Sequence, residues 1–195
     1  MADLEVSIKD GIATMVMNRP DARNALSMEM RSLMRDWCHK LEYDDSVRCI
    51  VLEGAGEHFM AGGDVMNMAK IVKEMTDDEL EAYFVNRIHD LHPIMFSLRR
   101  MPKPVIAKVR GAAAGAGVSF AAMCDLVIAS ESSFFTLAYC HIGTSPDGSS
   151  SYHLPRAMGI KRTMEMALLG DRYTAQQMSD FNLVNFVVPD EELDA

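Results

Sequence analysis

A chain of 195 residues is long enough for one domain with a sizeable core. Its hydrophobic fraction of 49% and charged fraction of 24% are those of an ordinary globular protein. A net charge of −9 argues against nucleic acid as a general partner, because duplex binding needs a basic face. No apolar run is long enough to span a bilayer, and the start Met1-Ala2-Asp3-Leu4-Glu5 lacks the basic-then-apolar order of a signal peptide. The expectation is a cytoplasmic protein with no membrane partner. Cys38, Cys49, Cys124 and Cys140 form no CxxC pair, which disfavours a zinc site or a disulfide framework and predicts buried free thiols. The 17 methionines are read as flexible core filler.

In chain order, residues 4–8 and 12–17 alternate around Asp10-Gly11 and predict a β-hairpin. Asn18-Arg19-Pro20-Asp21 breaks the strand. Ser27 suits an N-cap for a helix over residues 28–43, with Met30, Leu33, Met34, Trp37 and Leu41 at helical spacing. Residues 47–52 predict a short strand. Thr76-Asp77-Asp78-Glu79 is a capping box for a long helix towards Arg100, and His92-Pro93 predicts a kink or break inside it. A buried strand follows over 105–109, then a small-residue loop over 111–117 that enters a helix ending near Met123. Strands are expected at 125–129 and 134–137, a turn at Ser145-Pro146-Asp147-Gly148, a capping box at Thr174-Ala175-Gln176-Gln177, and a last strand at 183–188. With no linker or low-complexity tract, residues 1–195 read as one α/β domain.

Two turns carry the chemistry. Phe59-Met60-Ala61-Gly62-Gly63-Asp64 and Gly111-Ala112-Ala113-Ala114-Gly115-Ala116-Gly117 each follow a strand, and the second opens a helix. Small residues let a ligand approach the backbone, and N–H groups at a helix start point at negative charge. Two such turns converging on one oxygen make an oxyanion hole, which a thioester needs while an enolate develops. Either turn alone is equally well explained by tight packing, and the second does not match the GxGxxG dinucleotide pattern.

These turns, together with Asn18-Arg19-Pro20, Asn24-Ala25-Leu26, Pro104-Val105-Ile106-Ala107, Met123-Cys124-Asp125, Gly143, Gly170-Asp171 and Val187-Val188-Pro189, resemble the crotonase (enoyl-CoA hydratase/isomerase) superfamily. The resemblance runs in order from about residue 4 to the end. It implies a spiral of repeated β-β-α units. It further implies an acyl-CoA thioester as substrate, with coenzyme A part of that substrate and no other cofactor. Family members usually continue past the equivalent of Ala195 with helices that roof the site and build a homotrimer or a dimer of trimers. By resemblance, the backbone N–H groups of Gly63 and Ala116 are the oxyanion donors. Arg23 falls where relatives place a cation near the CoA phosphates. Ala22, Ala25, Ala61, Gly62, Asp64, Val65 and Gly115 fall along the substrate path. Arg23 also reads as a solvated loop arginine, and Asp64 as a helix cap. No clustered His, Cys and carboxylate set predicts a metal.

Hydration of a 2-enoyl-CoA needs two carboxylates around one water. The family's two glutamate positions correspond here to Ser119 and Tyr139, so ordinary hydratase activity is disfavoured. Asp147 aligns instead with the catalytic glutamate of the Δ3,Δ2-enoyl-CoA isomerases and the nucleophilic aspartate of the 4-chlorobenzoyl-CoA dehalogenases. The same Asp147 also reads as an ordinary Pro-Asp-Gly turn or N-cap. The resemblance favours an isomerase-like enzyme with Asp147 as acid and base. The dehalogenase-like alternative would draw on His92 and Tyr139 near the ring. A non-catalytic acyl-CoA-binding homologue is the third reading.

Overall fold

The computed structural model describes residues 2–195. The hairpin forms as expected: β1 (Leu4–Lys9) and β2 (Ile12–Met17) pair antiparallel, with Asp10 and Gly11 both at positive φ in the turn. Parallel strands then add on one side: β3 (Cys49–Gly54), β4 (Val105–Val109), β6 (Leu126–Ser130) and β9 (Phe186–Val188), in the order β1-β2-β3-β4-β6-β9. A second, shorter sheet holds β5 (Ala112–Ala114), β7 (Phe134–Thr136) and β8 (Tyr173–Thr174). Single parallel bridges, Met60 to Ala113 and Leu26 to Gly63, carry this second layer on towards the N-terminal part of the chain.

Four strands of the large sheet, β2, β3, β4 and β6, are each followed by an extended piece in the second layer and then by a helix. After β2 come Leu26 and α1 (Met28–Glu42); after β3 come residues 60–63, α2 (Val65–Glu74) and α3 (Asp77–Arg100). After β4 come β5 and α4 (Ala116–Met123); after β6 come β7 and α5 (Ser150–Leu169). This is the repeated β-β-α spiral that the resemblance implies. The chain ends with β8, α6 (Ala175–Asp180) and β9. One hydrophobic cluster joins the two layers, and α4 is buried on nearly every face.

Local chemistry explains where helices start. Ser27 accepts from the Met30 N–H at 3.0 Å, and Thr174 and Gln177 form a reciprocal box. At α3 the Thr76 N–H donates to Glu79 Oε2 at 2.8 Å. Pro93 does not break α3, contrary to one of the two expected outcomes. His89, whose carbonyl loses its partner, and Pro93 are both exposed, so water can take over that bond.

Other expectations need correction. The loop expected at 111–117 contains β5, because Ala112–Ala114 pair with β7. The last strand is shorter than 183–188: Leu183 and Val184 both donate to the Met178 carbonyl and close α6 instead. Residues 65–74 form a helix of which the sequence disclosed only the cap. Cys38 is buried, and burial pushes its thiol up to about 12, but Cys49 and Cys124 are only partly buried and Cys140 is exposed, so the reading of buried thiols holds fully for Cys38 alone. Among the described residues no helix is long and apolar enough to cross a membrane.

Two residues hold the layers in place. Asn24 is fully buried in a left-handed conformation; its Oδ1 accepts from the Arg19 N–H at 2.9 Å, and its Nδ2 donates to the carbonyls of Ala55 and His58. Asn24→Ala should orphan all three groups and destabilise the fold by at least about 2 kcal/mol, read as a lower urea midpoint. Gly117 packs against the Met60 carbonyl so closely that a Cβ would overlap it. Gly117→Ala should cost about 1–3 kcal/mol in the same assay, and an unchanged midpoint would refute this packing.

Candidate active site

The two small-residue turns meet backbone to backbone. A side chain at Gly62 would lie 2.9 Å from the Ala114 carbonyl oxygen and 3.4 Å from the Ala116 nitrogen, and Gly62 has φ +95°. Gly115, with φ 51° and ψ −118°, turns the chain from β5 into α4 in a conformation open only to glycine. Ala116 is the first residue of α4, so its N–H has no intrahelical acceptor. Gly63 sits in its bridge to Leu26 with its own polar groups turned away from that partner, since it is Gly62 whose carbonyl accepts the Leu26 N–H at 2.8 Å. Among the described residues neither the Gly63 nor the Ala116 N–H has a backbone acceptor outside regular elements. Both residues line one cavity of about 510 Å³.

That cavity gathers Ala61, Gly62, Gly63, Val65, Gly115, Ala116, Tyr139 and Asp147 from the residues expected on sequence. Its apolar wall comes from Leu26, Met68, Phe84, Ile88, Leu91, Leu137 and Ile142, supplied by the second layer, α2, α3 and the short turn of 3-10 helix Tyr139–Ile142.

Asp147 is the only carboxylate among the described residues that line it. Its backbone carbonyl accepts from the hydroxyls of Ser119 at 3.1 Å and Ser150 at 2.8 Å. Its carboxylate accepts from the Tyr139 hydroxyl at 2.6 Å. The carboxylate does not cap α5: the N-cap is Ser149, which makes no side-chain cap bond. That removes the N-cap reading of Asp147. Burial, reinforced by the facing carboxylate, pushes the Tyr139 phenol far above its ordinary range, so it stays protonated and donates. Gly148, at φ +58°, lets the chain pass Met95 and Ser119 where a Cβ would come within 3.0 Å of the Met95 methyl. Ser119 and Tyr139, the positions at which hydratases carry glutamate by resemblance, here brace the backbone and the carboxylate of Asp147.

The remaining expected residues fall outside the cavity lining. Ala22, Arg23 and Ala25 form the loop beside it: the Arg23 carbonyl accepts from Ala61 N–H at 2.9 Å, and the Arg23 side chain is exposed. Asp64 caps α2 through the Asn67 N–H at 3.0 Å and pairs with Arg19 at 3.1 Å, so the competing cap reading holds for it. His92 is not brought to the cavity either. It lies one position past the α3 stripe of Phe84, Arg87, Ile88 and Leu91 and packs by His89 and Phe96.

Sequence reasoning missed Arg31 and Arg87. Both line the cavity and are only 6% and 5% exposed. Arg31 continues the α1 stripe between Met30 and Met34, and Arg87 lies four residues before Leu91, so a cation on each buried stripe was the available signal. Burial lowers the Arg31 guanidinium to about 10, with the like charge of Arg87 adding and Asp147 opposing, so it remains a cation at neutral pH.

Comparison with known proteins agrees with this geometry. The family model for enoyl-CoA hydratase/isomerase matches residues 7–195. The chain is 36% identical to 1,2-epoxyphenylacetyl-CoA isomerase of Escherichia coli (strain K12), covering 95% of this chain and 70% of that protein. It is 33% identical to 4-chlorobenzoyl coenzyme A dehalogenase-2 of an Arthrobacter species, covering 95% and 67%. Among solved structures it is similar to an enoyl-CoA hydratase from Mycobacterium avium subsp. paratuberculosis K-10, with TM-score 0.87, 34% identity, and coverage of 100% of this chain and 74% of that one. An enoyl-CoA hydratase of Mycobacterium smegmatis gives TM-score 0.88 at 33% identity, covering 98% and 72%. The chain spans between 64% and 70% of the length of such curated relatives. With the spiral fold, the paired turns and a match along almost its whole length, this chain belongs to the enoyl-CoA hydratase/isomerase family of the crotonase superfamily.

Proposed function

We propose that this protein shifts the double bond of an acyl-CoA thioester from Δ3 to Δ2, with Asp147 as its one acid and base. The observation that carries this reading is the lone carboxylate of Asp147 in the cavity, oriented by the Tyr139 hydroxyl at 2.6 Å. Asp147 takes the proton from C2, and the electron pair moves onto the thioester oxygen. The Gly63 and Ala116 N–H groups stabilise the resulting dienolate, as preorganised donors do where charge develops. The protonated Asp147 then returns the same proton to C4, so no second acid is needed. Coenzyme A enters as part of the substrate, with the exposed Arg23 as a cation for its phosphates.

Two rival chemistries find less support. Hydration requires a second carboxylate to handle water, and Ser119 is instead fully buried with its hydroxyl on the Asp147 carbonyl. Attack of Asp147 on an aromatic ring, the dehalogenase-like alternative, called on His92 and Tyr139; Tyr139 lines the cavity, but His92 lies outside the lining. Two relatives named as isomerases, the epoxyphenylacetyl-CoA enzyme and the trans-2-decenoyl-[acyl-carrier-protein] isomerase of Streptococcus mutans at 30% identity, support the direction of the proposal.

The test compares a 3-enoyl-CoA with a 2-trans-enoyl-CoA. The protein should convert the first and not hydrate the second, and Asp147→Asn should slow conversion by about 10²–10⁴-fold. Wild-type turnover in Asp147→Asn would refute the assignment. Tyr139→Phe removes the donor that orients the carboxylate and should lower kcat by about 10–100-fold, with the smaller change in KM.

A further inference from the structure

Arg31 and Arg87 are buried cations that form no direct ion pair among the described residues. Both are more than nine-tenths buried, both line the acyl cavity, and neither has a carboxylate within 4.0 Å among the described residues. Arg31 Nη1 donates to the Arg87 carbonyl at 2.7 Å, which fixes α1 against α3, and the Arg87 charge is close enough to act on the Arg31 guanidinium. Arg87 Nη1 reaches the Tyr83 hydroxyl at 3.4 Å. That leaves Arg31 Nε and Arg87 Nη2 buried with no acceptor. Arg87 Nη2 lies 3.5 Å from where a side chain on Gly63 would begin, so it stands beside an oxyanion donor.

Two like charges close enough to interact in an apolar cavity repel each other and carry a desolvation cost. A scaffold that needed only to pack α1 on α3 would place apolar side chains on both stripes. The cavity holds two guanidiniums and the single carboxylate of Asp147, an excess of one positive charge that a bound monoanion would neutralise. Guanidinium forks match carboxylates in shape and charge.

Resting on the reading of this cavity as an acyl-thioester site, we propose that Arg31 and Arg87 form an anion subsite for the acyl group, and that the substrates are short thioesters carrying a second carboxylate. The guanidiniums of Arg31 and Arg87, which line the cavity, would receive that carboxylate, while the thioester oxygen faces Gly63 and Ala116. Both arginines act here as specificity-determining residues.

Saturated thioesters separate this inference from the isomerase reading, because they have no double bond to shift and bind without net turnover. Calorimetric titration with succinyl-CoA and glutaryl-CoA, against butyryl-CoA and pentanoyl-CoA, reads the preference directly. At least one dicarboxylic thioester should bind about tenfold or more tighter than its uncharged counterpart of equal length. Arg87→Met should bring that ratio close to one, and Arg87→Lys, which keeps the charge, should retain part of it. The ratio within each variant is the readout, so a general loss of affinity does not mimic the effect. Equal or tighter binding of the uncharged thioesters at both lengths would overturn the anion subsite alone. A preference untouched by Arg87→Met would do the same. Failure of every thioester to bind would overturn the acyl-CoA reading and this inference with it.

Discussion

Gly62 lies so close to the Ala114 carbonyl and the Ala116 nitrogen that no side chain fits between the two turns. This approach follows from the spiral: residues 60–63 and β5 are successive pieces of the second layer, locked by the bridge between Met60 and Ala113. Because both turns leave the same layer at the same level, their free N–H groups share one cavity. The donors are backbone atoms, so their positions depend on strand pairing rather than on rotamers. Preorganised dipoles of this kind need no rearrangement at the moment of reaction. Asn24 extends the same logic outward, tying the loop after β2 to the carbonyls of Ala55 and His58.

On that invariant frame the side chains choose the chemistry. Ser119 and Tyr139 both act as supports: the Ser119 hydroxyl holds the Asp147 carbonyl, and the Tyr139 hydroxyl holds its carboxylate. Arg31 and Arg87, from α1 and α3, add a second electrostatic feature to the cavity lining. A fold shared by many reactions fixes the two backbone turns, while the facing residues differ from one reaction to another.

Much of this was legible in the sequence because it depends on local chemistry. The hairpin at Asp10-Gly11, the caps at Ser27, Thr76 and Thr174, and the glycines of both turns announce themselves through backbone requirements. What stayed hidden depends on tertiary partners. Ala112–Ala114 have no strand-like side chains and become a strand because β7 lies alongside them. Leu183 and Val184 look like strand but spend their N–H groups on the Met178 carbonyl. His92 matched by counting residues, yet it is not among the residues that line the cavity, although Ile88 one turn earlier is. The two arginines were passed over because a cation on an apolar stripe usually reaches solvent, and only the packing of α1 on α3 encloses them.

The central claim is that Asp147 moves a C2 proton while Gly63 and Ala116 hold the enolate. Proton exchange tests it without assuming any particular double bond. A saturated acyl-CoA incubated with the protein in deuterated water should gain deuterium at C2, visible by NMR, and Asp147→Asn should stop that exchange. Exchange that continues at the wild-type rate in Asp147→Asn would contradict the account.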